Sequence, residues 1–266
     1  MELDLKGKRA FVSGSSSGIG TAIAVALAKE GAAVVVHGRD RRRADDVATK
    51  IRQSGGVAHV AIGDLATDAG AEQAAAEGAK ALGGVDILVN VAGGPGGPWS
   101  WESTTPAMWM DQFQMNTISA VRLIRAFLPG MKAQHWGRVI SISSVASRHP
   151  LPDQVPAYCA SKDAIISFNA NLALTVAGDG ITANVVTPGF ILTDALKEYF
   201  IGLPVNANKS WEEIEAATAA YLGIATGRFG RVHEIANLVT YVSSPLAAYI
   251  NGSNLRADGC TVHYAD

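Results

Sequence analysis

Short runs of Val, Ile and Ala that end in Gly, Asn, Ser or Pro alternate along this chain with longer segments of helical character. That alternation constrains the fold more than any other feature. The runs fall at Arg9–Ser13, Ala33–His37, Val57–Ile62, Asp86–Asn90, Arg138–Ser143 and Ile181–Thr187. None shows the polar alternation of a half-exposed strand, so both faces must be covered. The helical segments between them are Ile19–Glu30, Arg41–Ser54, Asp68–Leu82, Pro106–Gln134, Pro156–Ala177 and Val232–Ser243, and a last short strand is expected near Ser253–Ala257. Strand and helix in regular order imply right-handed βαβ crossovers. The expected fold is therefore α/β: a doubly wound parallel sheet of Rossmann type, about seven strands wide, with helices on both faces. With 266 residues the chain fits one domain, 1–266.

Composition supports a packed core and removes several functions. Apolar residues make up 48% and charged residues only 17%, which argues against disorder. Twenty-two basic against 24 acidic residues give a net charge of −2. A protein that holds nucleic acid by neutralising phosphates carries a basic surplus, and none is present. Two cysteines, Cys159 and Cys260, cannot build a disulfide framework or a four-cysteine zinc site, so no metal is expected. They suit a reducing compartment. The start, Met-Glu-Leu-Asp-Leu-Lys-Gly-Lys, lacks the apolar stretch of a secretory signal. The longest apolar runs, Ala22–Ala28 and Ala32–Val36, are too short to span a bilayer. A soluble, cytoplasmic protein with no membrane partner is the expectation.

Phe190–Thr226 breaks the rhythm with Gly202, Pro204 and the exposed-looking aromatics Tyr199, Phe200, Trp211 and Tyr221. It reads either as a mobile surface excursion or as a lid, 190–226, over a site at the carboxyl ends of the strands. Connections this long in compact domains favour the lid.

The first strand is followed by Ser13-Gly14-Ser15-Ser16-Ser17-Gly18-Ile19-Gly20 and then a helix. Glycines let the backbone turn tightly and approach a pyrophosphate, while the helix N-terminus offers free N–H groups and positive dipole. The same residues match Gly-x-Ser-x-Gly, the nucleophile elbow, which would make Ser16 a hydrolase nucleophile. Position argues against that: no earlier strands exist to build the sheet, and the last histidine, His263, lies in the tail. A P-loop kinase motif is absent.

An acid closing the second strand would hold the adenosine ribose of NAD. Here that end reads Val36-His37-Gly38-Arg39-Asp40, followed by Arg41-Arg42-Arg43. The bland reading is a solvated basic turn. The functional one gives Arg39, with one neighbour, the 2′-phosphate of NADP, a charged contact of about 1.5–3 kcal/mol. NADP is thus expected, with NAD as the alternative. Asp64 closes the third strand, where it could accept from the adenine amine or simply serve as a turn residue. Asn90-Val91-Ala92-Gly93 closes the fourth, small enough for a flat ring or ribose to come close.

Tyr158-Cys159-Ala160-Ser161-Lys162 places Tyr158 and Lys162 four apart, on one face if Pro156 opens a helix. A free tyrosine has a pKa of about 10, and a nearby ammonium lowers it toward the operating pH of a general acid–base catalyst. Ser144, at the end of the fifth strand, could hydrogen-bond the reacting oxygen. Asn116 could hold a water or a backbone group that continues a proton path to Lys162. Cys159 points about 100° away from Tyr158 and reads as a small core residue.

With these pieces in order, the chain resembles a single-domain short-chain dehydrogenase/reductase nearly end to end, similar to 3-oxoacyl-carrier-protein reductase-like members. The matching pieces include the glycine turn, Asp64, Asn90-Val91-Ala92-Gly93, Asn116, Ile142-Ser143-Ser144, Tyr158-x3-Lys162, Pro188-Gly189 with Thr193, and the tail segments Gly227–Arg231 and Asn254–Gly259. The resemblance implies Tyr158 as acid/base, Lys162 as its modulator and ribose ligand, Ser144 as carbonyl orienter and Asn116 as relay member. It implies cofactor contacts at Gly14, Ser16, Ser17, Gly18, Ile19, Gly20, Arg39, Asp64, Leu65, Asn90, Ala92, Gly93, Tyr158, Lys162, Pro188, Gly189, Ile191 and Thr193. It also implies a homotetramer packed through the helices after the fourth and fifth strands. Ser13 stands where Thr is usual, and Val91 where a second Asn is usual. The Ser144–Tyr158 loop length leaves Ser143 as a rival orienter.

The implied activity is reversible, NAD(P)-dependent hydride transfer between a ketone or aldehyde and an alcohol, an oxidoreductase reaction on a small-molecule carbonyl/alcohol substrate. A catalytically silent dinucleotide-binding scaffold or sensor is the alternative. Hydroxysteroids, polyols, acyl thioesters and xenobiotic ketones all remain open as substrates. Trp99 and Trp101 read equally as pocket walls and as loop anchors.

Overall fold

The computed structural model describes residues 2–97 and 99–263, so Pro98 of the tryptophan-bearing loop lies outside the described residues. Seven strands form one parallel sheet in the order β3-β2-β1-β4-β5-β6-β9. They are β1 (Arg9–Val12), β2 (Ala33–Gly38), β3 (Val57–Ile62), β4 (Ile87–Asn90), β5 (Gly137–Ile142), β6 (Ile181–Pro188) and β9 (Asn254–Ala257). The helices between them are α1 (Gly18–Lys29), α2 (Arg41–Gln53), α3 (Asp68–Leu82), α4 (Pro106–Phe113), α5 (Ser119–Ala133), α6 (Pro156–Val176) and, before β9, α9 (Val232–Val242). The sheet is the doubly wound one that the alternation dictates.

Period-2 geometry sorts the strand side chains between two cores. Val12, Val34, Val36, Ile87, Val89, Ile140 and Ile142 face α1, α2 and α9. Phe11, Val35, Leu88 and Val139 face α3, α5 and α6. This explains why the strands read as continuous apolar runs. The chain order reverses between β1 and β4, and a crevice opens there at the carboxyl ends of both strands.

Two expectations change. The helix expected over Pro106–Gln134 is not continuous: Gln114–Ile118 forms a π turn between α4 and α5. Such single turns disrupt an α-helix locally, and apolar periodicity does not register them. The Phe190–Thr226 stretch is also more ordered than a break in rhythm suggests. It holds β7 (Ile191–Leu192), α7 (Asp194–Ile201) and α8 (Trp211–Tyr221), and β7 pairs with β8 (Gly230–Arg231) beside the main sheet. Ser210 opens α8 with a capping box that includes Glu213. Phe200 and Trp211 do not face solvent as expected: their rings lie 5.6 and 6.1 Å from Phe229, which is fully buried. Tyr199 and Tyr221 are exposed.

Candidate active site

The turn after β1 is held by a close backbone approach and by hydrogen bonds between short side chains and backbone. Gly14 has φ +62°, and a Cβ there would lie 2.8 Å from Ala92 Cα, so only glycine lets the turn press against the end of β4. Ser13 Oγ accepts from the N–H groups of Val91 (2.9 Å) and Ala92 (3.1 Å), so serine closes this junction without the methyl of threonine. Ser15 Oγ donates to Val12 O and accepts from His37 N–H, pinning the turn to β2. Ser17, at the N-cap of α1, makes no side-chain cap, and the first turn carries no acid. The helix end therefore keeps unpaired N–H groups and unneutralised dipole, as an anion site requires.

This turn forms one end of a cleft of about 1140 Å³. Gly14, Ser16, Ser17, Gly18, Ile19, Gly20, Arg39, Asp64, Leu65, Ala92 and Gly93 line it, as do Ser144, Tyr158, Lys162, Pro188, Gly189 and Thr193. The residues present fit a dinucleotide: a glycine cradle, an uncapped helix end and a basic rim lie on one wall. A Cβ at Gly38 would sit 2.6 Å from Ser16 Oγ, so the close of β2 has no room for a ribose-binding acid. Arg39 and Arg43 line the cleft beside it, whereas Arg41 and Arg42 do not. Asp40 relieves the basic start of α2 by accepting from Arg43 N–H and lying 3.8 Å from its guanidinium. Asp64 serves its turn, accepting from Ala66 N–H, while also lining the cleft.

At the other end, Tyr158 and Lys162 rise from α6, four residues apart. Lys162 is buried and donates to Ile142 O at 2.8 Å. Burial pushes its amine down to about 8. The Tyr158 phenol moves the opposite way from the expected one. Burial raises it, the Ser144 hydroxyl in hydrogen-bonding reach pulls it back, and the ammonium, 5.9 Å from the ring centroid, does not prevail. Ser143, the rival orienter, spends its hydroxyl on Lys162 O at 2.8 Å and is 3% exposed. Ser144 Oγ accepts from Ala146 N–H and stays at the cleft surface. Cys159 is half-buried rather than core, its thiol toward Gln154 O.

Three expected residues lie off the cleft wall. Asn90 is buried and donates to Ser141 Oγ. Ile191 is buried, its backbone in the ladder with β8. Asn116 sits in the π turn behind Gly93, takes Gly94 N–H at 2.8 Å and donates to Gly94 O, so it holds a backbone group. The tryptophan loop is tied by its main chain: Trp99 O accepts from Val155 N–H and Trp101 N–H donates to Asp153, while the largely exposed Trp101 ring lies against Trp109; neither tryptophan lines the cleft.

Two residues at the site escape a reading of the sequence. Gln112, 2% exposed, accepts from Asn116 through its side chain and its carbonyl. His37 accepts from Gly14 N–H through Nδ1 and contacts Gly63 O through Nε2. Both ring nitrogens are thereby committed, which leaves the elbow serine without a base from that ring.

A sequence model described as short chain dehydrogenase matches residues 8–202, most of the chain. The chain belongs to the short chain dehydrogenase family. This dehydrogenase is 37% identical over 261 residues to an uncharacterized oxidoreductase of Bacillus subtilis, covering 97% of each chain. It is 34% identical over 262 residues to the 3-oxoacyl-[acyl-carrier-protein] reductase of Vibrio cholerae, covering 97% of this chain and 98% of that one. The L-sorbose reductase of Gluconobacter frateurii, complexed with NADPH and L-sorbose, superposes with a TM-score of 0.94 at 32% identity over 100% of both chains. The dehydrogenase is thus an NAD(P)-dependent oxidoreductase of the CH–OH/C=O class, and neither the hydrolase nor the silent-scaffold reading is favoured. Among the described residues no helix is long and apolar enough to cross a membrane, and no group of three His, Cys, Asp or Glu side chains could hold a metal ion.

Proposed function

We propose that this dehydrogenase reduces a small ketone with NADPH, using Tyr158 as general acid. The observation that carries the reading is that Ser144, Tyr158 and Lys162 line the same cleft as the glycine turn and Arg39. When bound, the nicotinamide supplies the hydride. The protein's own groups do the rest. Tyr158, whose phenol burial keeps protonated, gives its proton to the carbonyl oxygen. Ser144 donates a hydrogen bond to that oxygen and orients it. Lys162, an ammonium below about pH 8, lowers the cost of the phenolate left behind. Asn116 fixes the Gly94 backbone beside them.

Arg39 and Arg43 would hold the 2′-phosphate at the rim that Gly38 leaves open. The segment 190–226 would act as the lid, with α7 over the cleft and α8 as its anchor. A homotetramer fits the unpaired outer edge of β9 and the exposed Leu174, Leu246 and Tyr249. Two free cysteines fit a cytoplasmic location. The NADPH and L-sorbose complex of the relative makes ketoses the first substrates to assay.

The test is a pair of fluorescence titrations with NADPH and NADH at fixed ionic strength. Wild type is expected to bind NADPH more tightly, and Arg39→Ala to lose about 10- to 150-fold in NADPH affinity while NADH binding holds. Tighter NADH binding by wild type would reduce Arg39 to a surface residue and reassign the cofactor.

A further inference from the structure

His37, the last residue but one of β2, has 2% of its surface exposed, and its ring fills the gap between the turn after β1 and the turn after β3. A backbone N–H can only donate, so the 3.1 Å contact to Gly14 N requires a lone pair on Nδ1. A carbonyl can only accept, so the 3.1 Å contact to Gly63 O requires the proton on Nε2. Together they fix one tautomer of the neutral ring. The charged groups acting on the ring are the carboxylates of Asp64, after β3, and Glu77, on α3. Both favour a cation, and burial outweighs them, pushing the imidazole down to about 4. Phe11 packs against the ring at 5.7 Å.

Gly14 is thus held from two sides. Ala92 limits how far it can move toward β4, and the Nδ1 lone pair draws its N–H toward β2. The peptide plane at Gly14 in turn sets the course of the chain into the uncapped first turn of α1.

We propose that His37 is a positioning residue for the dinucleotide: by taking the Gly14 N–H, its Nδ1 holds the glycine turn in the shape that presents the N–H groups of α1 to a diphosphate. This rests on the reading of the cleft as an NADP(H) site and adds a requirement to it. A preformed turn binds without first being ordered, so losing the Nδ1 contact weakens binding more than it weakens the fold. The Nε2 contact with Gly63 seats the ring, and the Nδ1 contact carries the effect.

Two substitutions separate these contacts. His37→Asn places an amide oxygen where Nδ1 stands and gives up Gly63. His37→Gln places an amide N–H where Nε2 stands and gives up Gly14. Each loses one buried hydrogen bond, so their Tm values should fall alike. NADPH fluorescence titration should find His37→Asn within about threefold of wild type and His37→Gln weakened about tenfold or more. Nitrogen-15 NMR of the wild-type ring should show the Nε2–H tautomer. Equal NADPH affinities for the two variants, losses that track Tm in both, or an Nδ1–H tautomer would each overturn the assignment while leaving the cofactor reading intact. Failure of wild type to bind NADPH or NADH would overturn the cofactor reading itself.

Discussion

The glycine turn of the cleft and the ring cluster of the 190–226 segment are built on different principles. At the glycine turn, β1, β2 and β4 meet at backbone distance, Gly14 against Ala92, and two serine hydroxyls fix the junction by bonding backbone N–H groups of Val91, Ala92 and His37. Under 190–226, side chains do the work. Phe190, Phe200 and Trp211 gather on Phe229, and Glu215 of α8 pairs with Arg231 at 2.5 Å and accepts from Phe229 N–H. A backbone-built wall tolerates little change, because an added Cβ meets atoms that cannot move away. A cluster of packed rings can change shape while keeping its volume.

The sharpest test of this division is Tyr158→Phe. Turnover should fall about 10²- to 10⁴-fold, with NADPH affinity measured by titration unchanged. A parallel loss of binding would mean that the chemistry and the cofactor wall are not separable. Next, Phe229→Ala should destabilise the fold by about 3–5 kcal/mol in urea unfolding, because it empties the ring cluster, and should raise KM if the proposed lid rests on those rings. If NADPH affinity collapsed with it, the rings would be supporting the cofactor wall too.

Acid should strike the backbone-built end. The His37 imidazole lies near about 4 in the fold, against about 6.5 in an unfolded chain. Between those values the unfolded chain binds more protons, so stability falls as the pH drops through that window, by about 3 kcal/mol in all. Urea midpoints of wild type and His37→Asn from pH 4 to 7 should differ in slope, the variant being flatter; identical slopes would exclude His37 as the titrating group. The smallest effect belongs to Trp101, 65% exposed. Trp101→Ala should shift stability by no more than about 0.5 kcal/mol, and a larger loss would make its packing on Trp109 part of the framework.

The same division governs what a sequence can reveal. Gly14 and Gly20 announce the turn because backbone proximity forces a residue type, and Tyr158 and Lys162 are visible because helical spacing puts them on one face. His37 and Gln112 carry no such mark. Their partners, Gly14, Gly63 and Asn116, are identified only once the fold has brought those atoms together. Phe200 and Trp211 look exposed in sequence because their partner, Phe229, lies well downstream. The Tyr158 shift is misread for a related reason: spacing gives the distance to Lys162, while burial, which dominates, depends on everything else around the phenol.

The π turn at Gln114–Ile118 has a consequence for how this segment can vary. A π turn is an α-helix carrying one surplus residue, and each residue of an α-helix advances the phase by about 100°. Deleting one residue there would let α4 and α5 fuse into a single regular rod. The cost would be angular: with α5 held on β4 and β5, everything N-terminal to the deletion would swing by about 100°. Trp109 and Gln112 would leave their present neighbours, and the tryptophan loop would lose its footing. The surplus residue acts as a phase shifter that lets one helix serve the sheet with one half and pack on α6 with the other.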